Sequence, residues 1–377
     1  MPKKVRSLIY PELRKVELKE FDKPKAASDS IILKVDICGI CGTDLHIFEG
    51  VHPAGPFPIM PGHEFVGTIE EMGDKVEDNM RIYGEPLELG DRLAVNPNIT
   101  CGKCYFCKWF PHREELCRNM RSYGVMSCKN YPYLLGAWSE YIYLLPGTTV
   151  FKLPSTLASD IAVLTEPLAC GIRAIERARG PGDATKGEGF GLSDTVVILG
   201  AGPIGLLVLI AAKISNAGKI IVADKVDYRL KTAKKFGADN VMNLEEIPEA
   251  EKRIEEVLEL TGGIGADVVV ECAGVPSAIS EGLKMVRPGG KFMELGHVIT
   301  GVKAEITPYD VCRNEIQIMG QFAYGSSAFI KAIKVLDEHR LPYEELVTKF
   351  SLEDKEEAFE RIRTKKTIKT AFVPSLR

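Results

Sequence analysis

The stretch TVVILGAGPIGLL (195–207) constrains the fold of this chain more than any other. An apolar run reads as a buried strand, Gly200, Gly202 and Gly205 follow, and an apolar helical pattern begins near Ile204. A strand, a glycine turn and a helix in direct succession open a βαβ unit. The text after it keeps the same grammar. A strand KIIVAD (219–224) precedes a helix from Tyr228 to Phe236, and a short strand NVMNL precedes a charged helix near Glu251 to Leu260. The strand ADVVVECAG (266–274), a further helix, and the strands GKFMELGH (290–297) and IQIMGQF (316–322) complete the series. Strands alternating with helices of this length predict an α/β, doubly wound parallel sheet.

The first part of the chain is built differently. From Leu8 to about Leu145, short β-like runs such as IILKVDI (31–37), FVGTIEEMG (65–73), DRLAVNPNI (91–99) and SEYIYLL (139–145) alternate with Gly/Pro turns. That texture predicts an irregular antiparallel β-barrel. A helical pattern runs from Ser159 through EPLACGIRAIERA (166–178), and the glycine-rich segment 179–193 reads as a surface loop or linker. A chain of 377 residues exceeds one ordinary core. The predicted division is 1–170 with 316–377, and 171–315, the last helices (around Ala328–His339 and Glu353–Arg363) returning to the first domain.

A net charge of -4 gives no reason to expect a nucleic-acid or membrane partner. No apolar run has transmembrane length, and the start MPKKVR lacks the hydrophobic core of a signal peptide, so a cytoplasmic protein is expected. In a reducing compartment, ten cysteines point to metal or redox chemistry rather than disulfides. Six of them cluster, as Cys38/Cys41 and Cys101/Cys104/Cys107/Cys117. Cys128, Cys170, Cys272 and Cys312 are scattered and read as small core residues.

In the G-x-G-x-x-G register, Gly200 makes the turn, Gly202 lets the backbone approach a pyrophosphate, and Gly205 lets helix pack on strand. Pro203 and Ile204 open the helix whose free N–H groups face the phosphates. Asp224, 19 residues after Gly205 at a strand end, can accept hydrogen bonds from both hydroxyls of an adenosine ribose and would repel a 2′-phosphate. The expected cofactor is therefore NAD rather than NADP, with Arg229 included among its contacts.

Two metal sites are readable. CGKCYFCKWFPHREELC sets Cys101, Cys104, Cys107 and Cys117 as C-x2-C-x2-C-x9-C, a spacing that can close a structural tetrahedral zinc site. A [4Fe–4S] cluster is chemically possible there. A zinc ribbon for nucleic acid fits poorly, since the loop carries both charge signs. The other site combines Cys41 with His63 and Glu64 of PGHEFVG, and with Glu166 of TEPLACG as a candidate fourth ligand. Mixed S, N and O donors with a place for water suit a catalytic zinc.

GICGTDLH, PGHE, CGKCxxC…C, EPLA and GAGPIG, in this order, resemble the zinc-dependent medium-chain dehydrogenases, the alcohol, polyol and threonine dehydrogenase superfamily, over essentially the whole chain. The resemblance implies a GroES-like catalytic domain interrupted by a Rossmann domain. It implies two zinc ions per chain, one catalytic and one structural, and a homodimer or homotetramer. By this resemblance Cys41 and His63 are catalytic zinc ligands, and Glu64 is a ligand or a near-shell acid. Glu166 stands where the polyol and threonine branches carry a glutamate. Cys38 is no ligand, Cys170 is a poor candidate, and Asp44 orients a ligand histidine. Thr43 and His46 form the proton relay.

The implied reaction moves a hydride between NAD and a small secondary alcohol or polyol, giving a ketone or aldehyde reversibly. The alternatives are an amino-alcohol substrate, as in L-threonine 3-dehydrogenases, or a non-catalytic zinc- and nucleotide-binding protein. Intact Cys41, His63, Glu166, Thr43 and His46 argue against the last. Four features depart from the pattern. The loop before Cys117 is two residues longer than the usual seven, which would reshape a subunit contact. Ala323 stands where sorbitol dehydrogenases carry an arginine, against simple sorbitol activity. LHIFEG resembles the threonine dehydrogenase text but lacks the tryptophan-aspartate pair that follows there. Segment 179–193 is also longer than usual. Trp138 matches an aromatic pocket position, with core packing as the other reading.

Overall fold

A computed structural model describes residues 3–84, 86–180, 191, 193–297 and 300–376. The chain forms two compact units, Met1–Glu166 with Tyr324–Arg377, and Pro167–Ala323.

The first unit is organised by Ile31–Gly39, whose alternating apolar residues are buried. This strand pairs antiparallel with Glu64–Met72, Tyr141–Leu144 and Lys369–Phe372. Its sheet continues from Glu64–Met72 through Arg92–Asn96 and Thr149–Lys152 to Arg81–Tyr83, and on the other side from Lys369–Phe372 to Val347–Phe350. The two outermost pairs are parallel rather than antiparallel. Parallel neighbours need a long crossover, and the helix Lys355–Arg363 supplies one of them. Trp138 lies at the centre of the core, fully buried, with edge contacts to Tyr10 and Phe372 at 5.8 and 5.1 Å between ring centres.

The second unit is a six-stranded sheet in spatial order Asn240–Asn243, Lys219–Asp224, Thr195–Leu199, Ala266–Glu271, Val286–Glu294 and Gln317–Gly320. Every pairing is parallel. The order reverses between Thr195–Leu199 and Ala266–Glu271, the switch point at which such sheets bind ligands. The helix Pro203–Ile214 is apolar on nearly every face and correspondingly buried.

Several boundaries differ from the sequence reading, and the first unit ends at Glu166 rather than at 170. The return to the first unit is placed there at 316, whereas Gln317–Gly320 pairs with Lys291–Glu294 as the sixth strand, so the return begins at Tyr324. Similarly, the strand read as 266–274 stops at Glu271, because the Ala273 and Gly274 N–H groups turn back to donate to Glu271 Oε1. Within segment 179–193, residues 181–190 and 192 lie outside the described residues. No helix among the described residues is long and apolar enough to cross a membrane.

Candidate active site and nucleotide turn

Strand register builds the mixed-donor site. Gly39 at the end of Ile31–Gly39 is paired with Glu64 at the start of Glu64–Met72, which sets the two chain segments carrying Cys41 and His63 side by side. A Cβ at Gly39 would stand 2.1 Å from Glu64 Oε2, so only glycine admits that carboxylate. The helix Gly42–Glu49 starts just beyond, with Cys41 at its N-cap. Asp44, fully buried, accepts the Cys41 N–H at 2.8 Å and the Gly62 N–H at 3.4 Å, and stands 3.4 Å from His63 Nδ1. One carboxylate thus fixes the backbone at Cys41 and faces the imidazole of His63. Ligand atoms of Cys41, His63 and Glu64 fall within 4.8 Å of one another. Sulfur, nitrogen and oxygen donors in that grouping fit zinc. Burial opposes a charge on His63, but Asp44 and Cys41 outweigh it and hold the imidazole well above its usual range. The negative charge gathered around the imidazole suits a cation at this place.

Glu166 does not join this group. Its Oε1 accepts the buried Tyr324 hydroxyl, and burial together with Glu64 pushes its carboxyl up to about 7. Tyr324 and Lys369 escape the sequence reading. The Lys369 ammonium pairs with Glu64 Oε2 and donates to the Ile40 carbonyl at 3.0 Å, both side chains being almost wholly buried. Burial disfavours that charge, yet Glu64 and Cys41 hold it above the ordinary lysine value. A lysine in the wholly buried strand Lys369–Phe372 is what marks it.

Thr43 and His46 stand three residues apart on the helix Gly42–Glu49 and therefore share a face. Burial lowers the His46 pKa, and its Nδ1 has no hydrogen-bond partner. Cys38 is fully buried, its thiol pushed far up by burial. Trp138 is likewise core, donating Nε1–H to the Gly39 carbonyl at 3.3 Å.

The four-cysteine loop gathers its sulfurs. Cys104 and Cys107 Sγ are 3.5 Å apart, Cys101 and Cys107 Sγ 3.9 Å. A tetrahedral zinc with Zn–S of about 2.3 Å needs sulfurs about 3.8 Å apart, so the residues fit that ion. The Lys103 N–H draws the Cys101 thiol down to about 6, whereas burial and its sulfur neighbours push Cys107 up to about 12. Four thiolates cannot all ionise here without a cation. The longer loop has a local use, since Glu114 Oε2 accepts the Ser326 hydroxyl at 2.6 Å and its N–H at 3.0 Å.

In the second unit each glycine of the turn has its own steric reason. Gly200 has φ +102, and a Cβ there would meet Ala273 N at 2.9 Å. A Cβ on Gly205 would stand 1.8 Å from Gly200 O. At Gly202, the N-cap of Pro203–Ile214, the nearest atom is Arg229 Nη1 at 3.7 Å, which leaves the helix N-terminus open to a phosphate. Asp224 ties this turn to its strand, accepting the Ala201 N–H at 2.6 Å and the Val226 N–H at 2.8 Å.

Family models match along both units. A model described as alcohol dehydrogenase GroES-like domain matches residues 27–155, and one described as zinc-binding dehydrogenase matches residues 203–338. The chain belongs to the zinc-dependent medium-chain dehydrogenase superfamily. Among its relatives, sorbitol dehydrogenase of Bacillus subtilis is 32% identical over 366 residues, covering 96% of this chain and 94% of the relative. L-threonine 3-dehydrogenase of Thermococcus kodakarensis is 33% identical, covering 95% and 94%. The crystal structure of an alcohol dehydrogenase from Thermotoga maritima superposes with a TM-score of 0.90 at 29% identity, over 99% of this chain and all of that one. In this family the fold is a GroES-like domain with a parallel-sheet Rossmann domain.

Proposed function

We propose that this protein is an NAD-dependent dehydrogenase of secondary alcohols or polyols, holding one catalytic and one structural zinc per chain. The observation that carries the reading is the grouping of Cys41, His63 and Glu64 donors at the start of the very helix that carries Thr43 and His46. When bound, zinc supplies Lewis-acid polarisation of a hydroxyl and NAD supplies the hydride acceptor. Cys41 and His63 hold the metal, Asp44 orients them, and Glu64 is restrained by Lys369. Glu166, whose carboxylate accepts the Tyr324 hydroxyl, is the candidate fourth ligand. Thr43 takes the substrate's hydroxyl proton as it passes on its own, and His46, whose pKa burial lowers, receives a proton at the outer end of the relay.

Cofactor choice rests on Asp224, whose carboxylate would repel a 2′-phosphate. The edge strand Gln317–Gly320, with Ile318 exposed on it and Phe322 exposed just beyond, is in keeping with a homo-oligomer. Reduced thiols, which both zinc sites need, are in keeping with a cytoplasmic location. A threonine-type amino-alcohol substrate is the second reading, favoured by the relative of that name at 33% identity. A screen of sugar alcohols, cyclitols, simple secondary alcohols and threonine, followed by NADH absorbance, tests both. Turnover of a polyol or secondary alcohol is expected; preference for threonine would favour the second reading, and turnover of none would count against either.

A further inference from the structure

The second unit holds a third convergence of metal-ligating groups, apart from the cysteine quartet and the Cys41 site. Glu271 and Glu294 end the adjacent parallel strands Ala266–Glu271 and Val286–Glu294 and are directly paired in register, so their side chains leave the sheet on the same face. His297 follows three residues later. Its Nδ1 is 2.9 Å from Glu294 Oε1 and 3.7 Å from Glu271 Oε2. Donor atoms of the three residues lie within 4.8 Å of one another.

The cluster is built rather than incidental. Glu271 is fully buried, and its Oε1 is fixed by the Ala273 and Gly274 N–H groups, each at 2.8 Å. That leaves Oε2 aimed at His297, buried and without a hydrogen-bond partner, as are Glu294 Oε2 and His297 Nε2. A Cβ at Gly296 would stand 2.1 Å from Glu271 Oε2, so the glycine makes room for the carboxylate. Among the described residues, the ion pairs of both carboxylates go to His297 alone. Two neighbouring acids with one imidazole carry more negative charge than they can balance internally. Burial and the nearby Glu294 accordingly push Glu271 up to about 7.

We propose that Glu271, Glu294 and His297 form a divalent-cation site for an ion of the Mn2+ or Zn2+ class, distinct from both zinc sites. Two carboxylate oxygens and one imidazole nitrogen are donors such ions accept. Ions of this class hold O and N donors at about 2.0–2.2 Å, so atoms already within 4.8 Å need only a small closing. The hydrogen bonds to Glu271 Oε1 would orient the ligand carboxylate from behind. The site lies at the carboxyl ends of the strands, where sheets of this kind bind ligands, and it stands without reference to the dehydrogenase reading.

The test is titration of the purified, zinc-replete protein with Mn2+, following the free-ion EPR signal. One Mn2+ bound per chain is expected, with spin-echo modulation from a single histidine nitrogen. Glu294→Gln and His297→Gln should each weaken uptake at least about tenfold, as removal of a coordinating group does, while circular dichroism stays unchanged. Three results overturn the proposal: no uptake by the wild-type protein, uptake without histidine-nitrogen modulation, or uptake equal in wild type and both variants. If Glu294→Gln changes the ratio of NAD+ to NADH affinities and Mn2+ uptake is absent, the cluster serves the charge of the nicotinamide and the cation site is wrong.

Discussion

At the residue scale, the two cysteines of the CGICGT stretch have different surroundings. Cys41 caps a helix beside His63, whereas Cys38 is sealed in the core with its sulfur 3.5 Å from the Gly39 carbonyl. Thr43→Val preserves shape but deletes the hydroxyl, so kcat should fall steeply while zinc content, measured by mass spectrometry, stays unchanged. His46→Gln should cost about tenfold to a thousandfold, because water can substitute at the outer end of a relay. The pH dependence has a definite sign. Burial lowers the His46 pKa, so the imidazole remains a proton acceptor through neutral pH. A wild-type pH profile should lose activity only on the acid side, below the ordinary histidine range, and the His46→Gln defect should shrink as solvent base takes over at high pH. Cys41, His63 and Glu64 were legible because their motifs are local in sequence. Tyr324 and Lys369 were not, since each reaches its carboxylate across more than 150 residues of chain.

At the element scale, the glycine turn and the cysteine loop make separable predictions. Gly205→Ala places a methyl 1.8 Å from Gly200 O and should lower the melting temperature sharply. Gly202→Ala meets nothing closer than 3.7 Å and should leave melting unchanged while weakening NAD+ binding about tenfold or more in calorimetry, because the methyl occupies the phosphate approach. Cys104→Ser should release one zinc per chain and reduce thermal stability, since a four-thiolate ion contributes directly to folding. Element type was readable from period and glycine placement. Element ends were not, because they depend on side chains that cap them. Glu271 halts its strand by drawing in the Ala273 and Gly274 N–H groups, and a carboxylate's partners do not show in an apolar run.

At the scale of the whole molecule, the chain leaves its first unit at Glu166 and returns at Tyr324, and those two boundary residues are joined by a hydrogen bond. The doubly wound unit announced itself through strand–helix alternation. The discontinuity of the first unit could be inferred only from the resemblance, because nothing in periodicity says which core a late helix joins. Asp224→Ser with Lys225→Arg should raise the NADP/NAD ratio of kcat/KM, since it removes repulsion of a 2′-phosphate. In the proposed reaction, hydride transfer to NAD depends on a metal held through Cys41. The most direct measurement of that dependence is zinc content, NAD+ affinity and alcohol-dependent NADH formation in Cys41→Ser beside Cys38→Ser. Cys41→Ser is expected to lose one zinc and nearly all turnover but still to bind NAD+, with Cys38→Ser close to wild type. Retention of both metal and turnover by Cys41→Ser would contradict it.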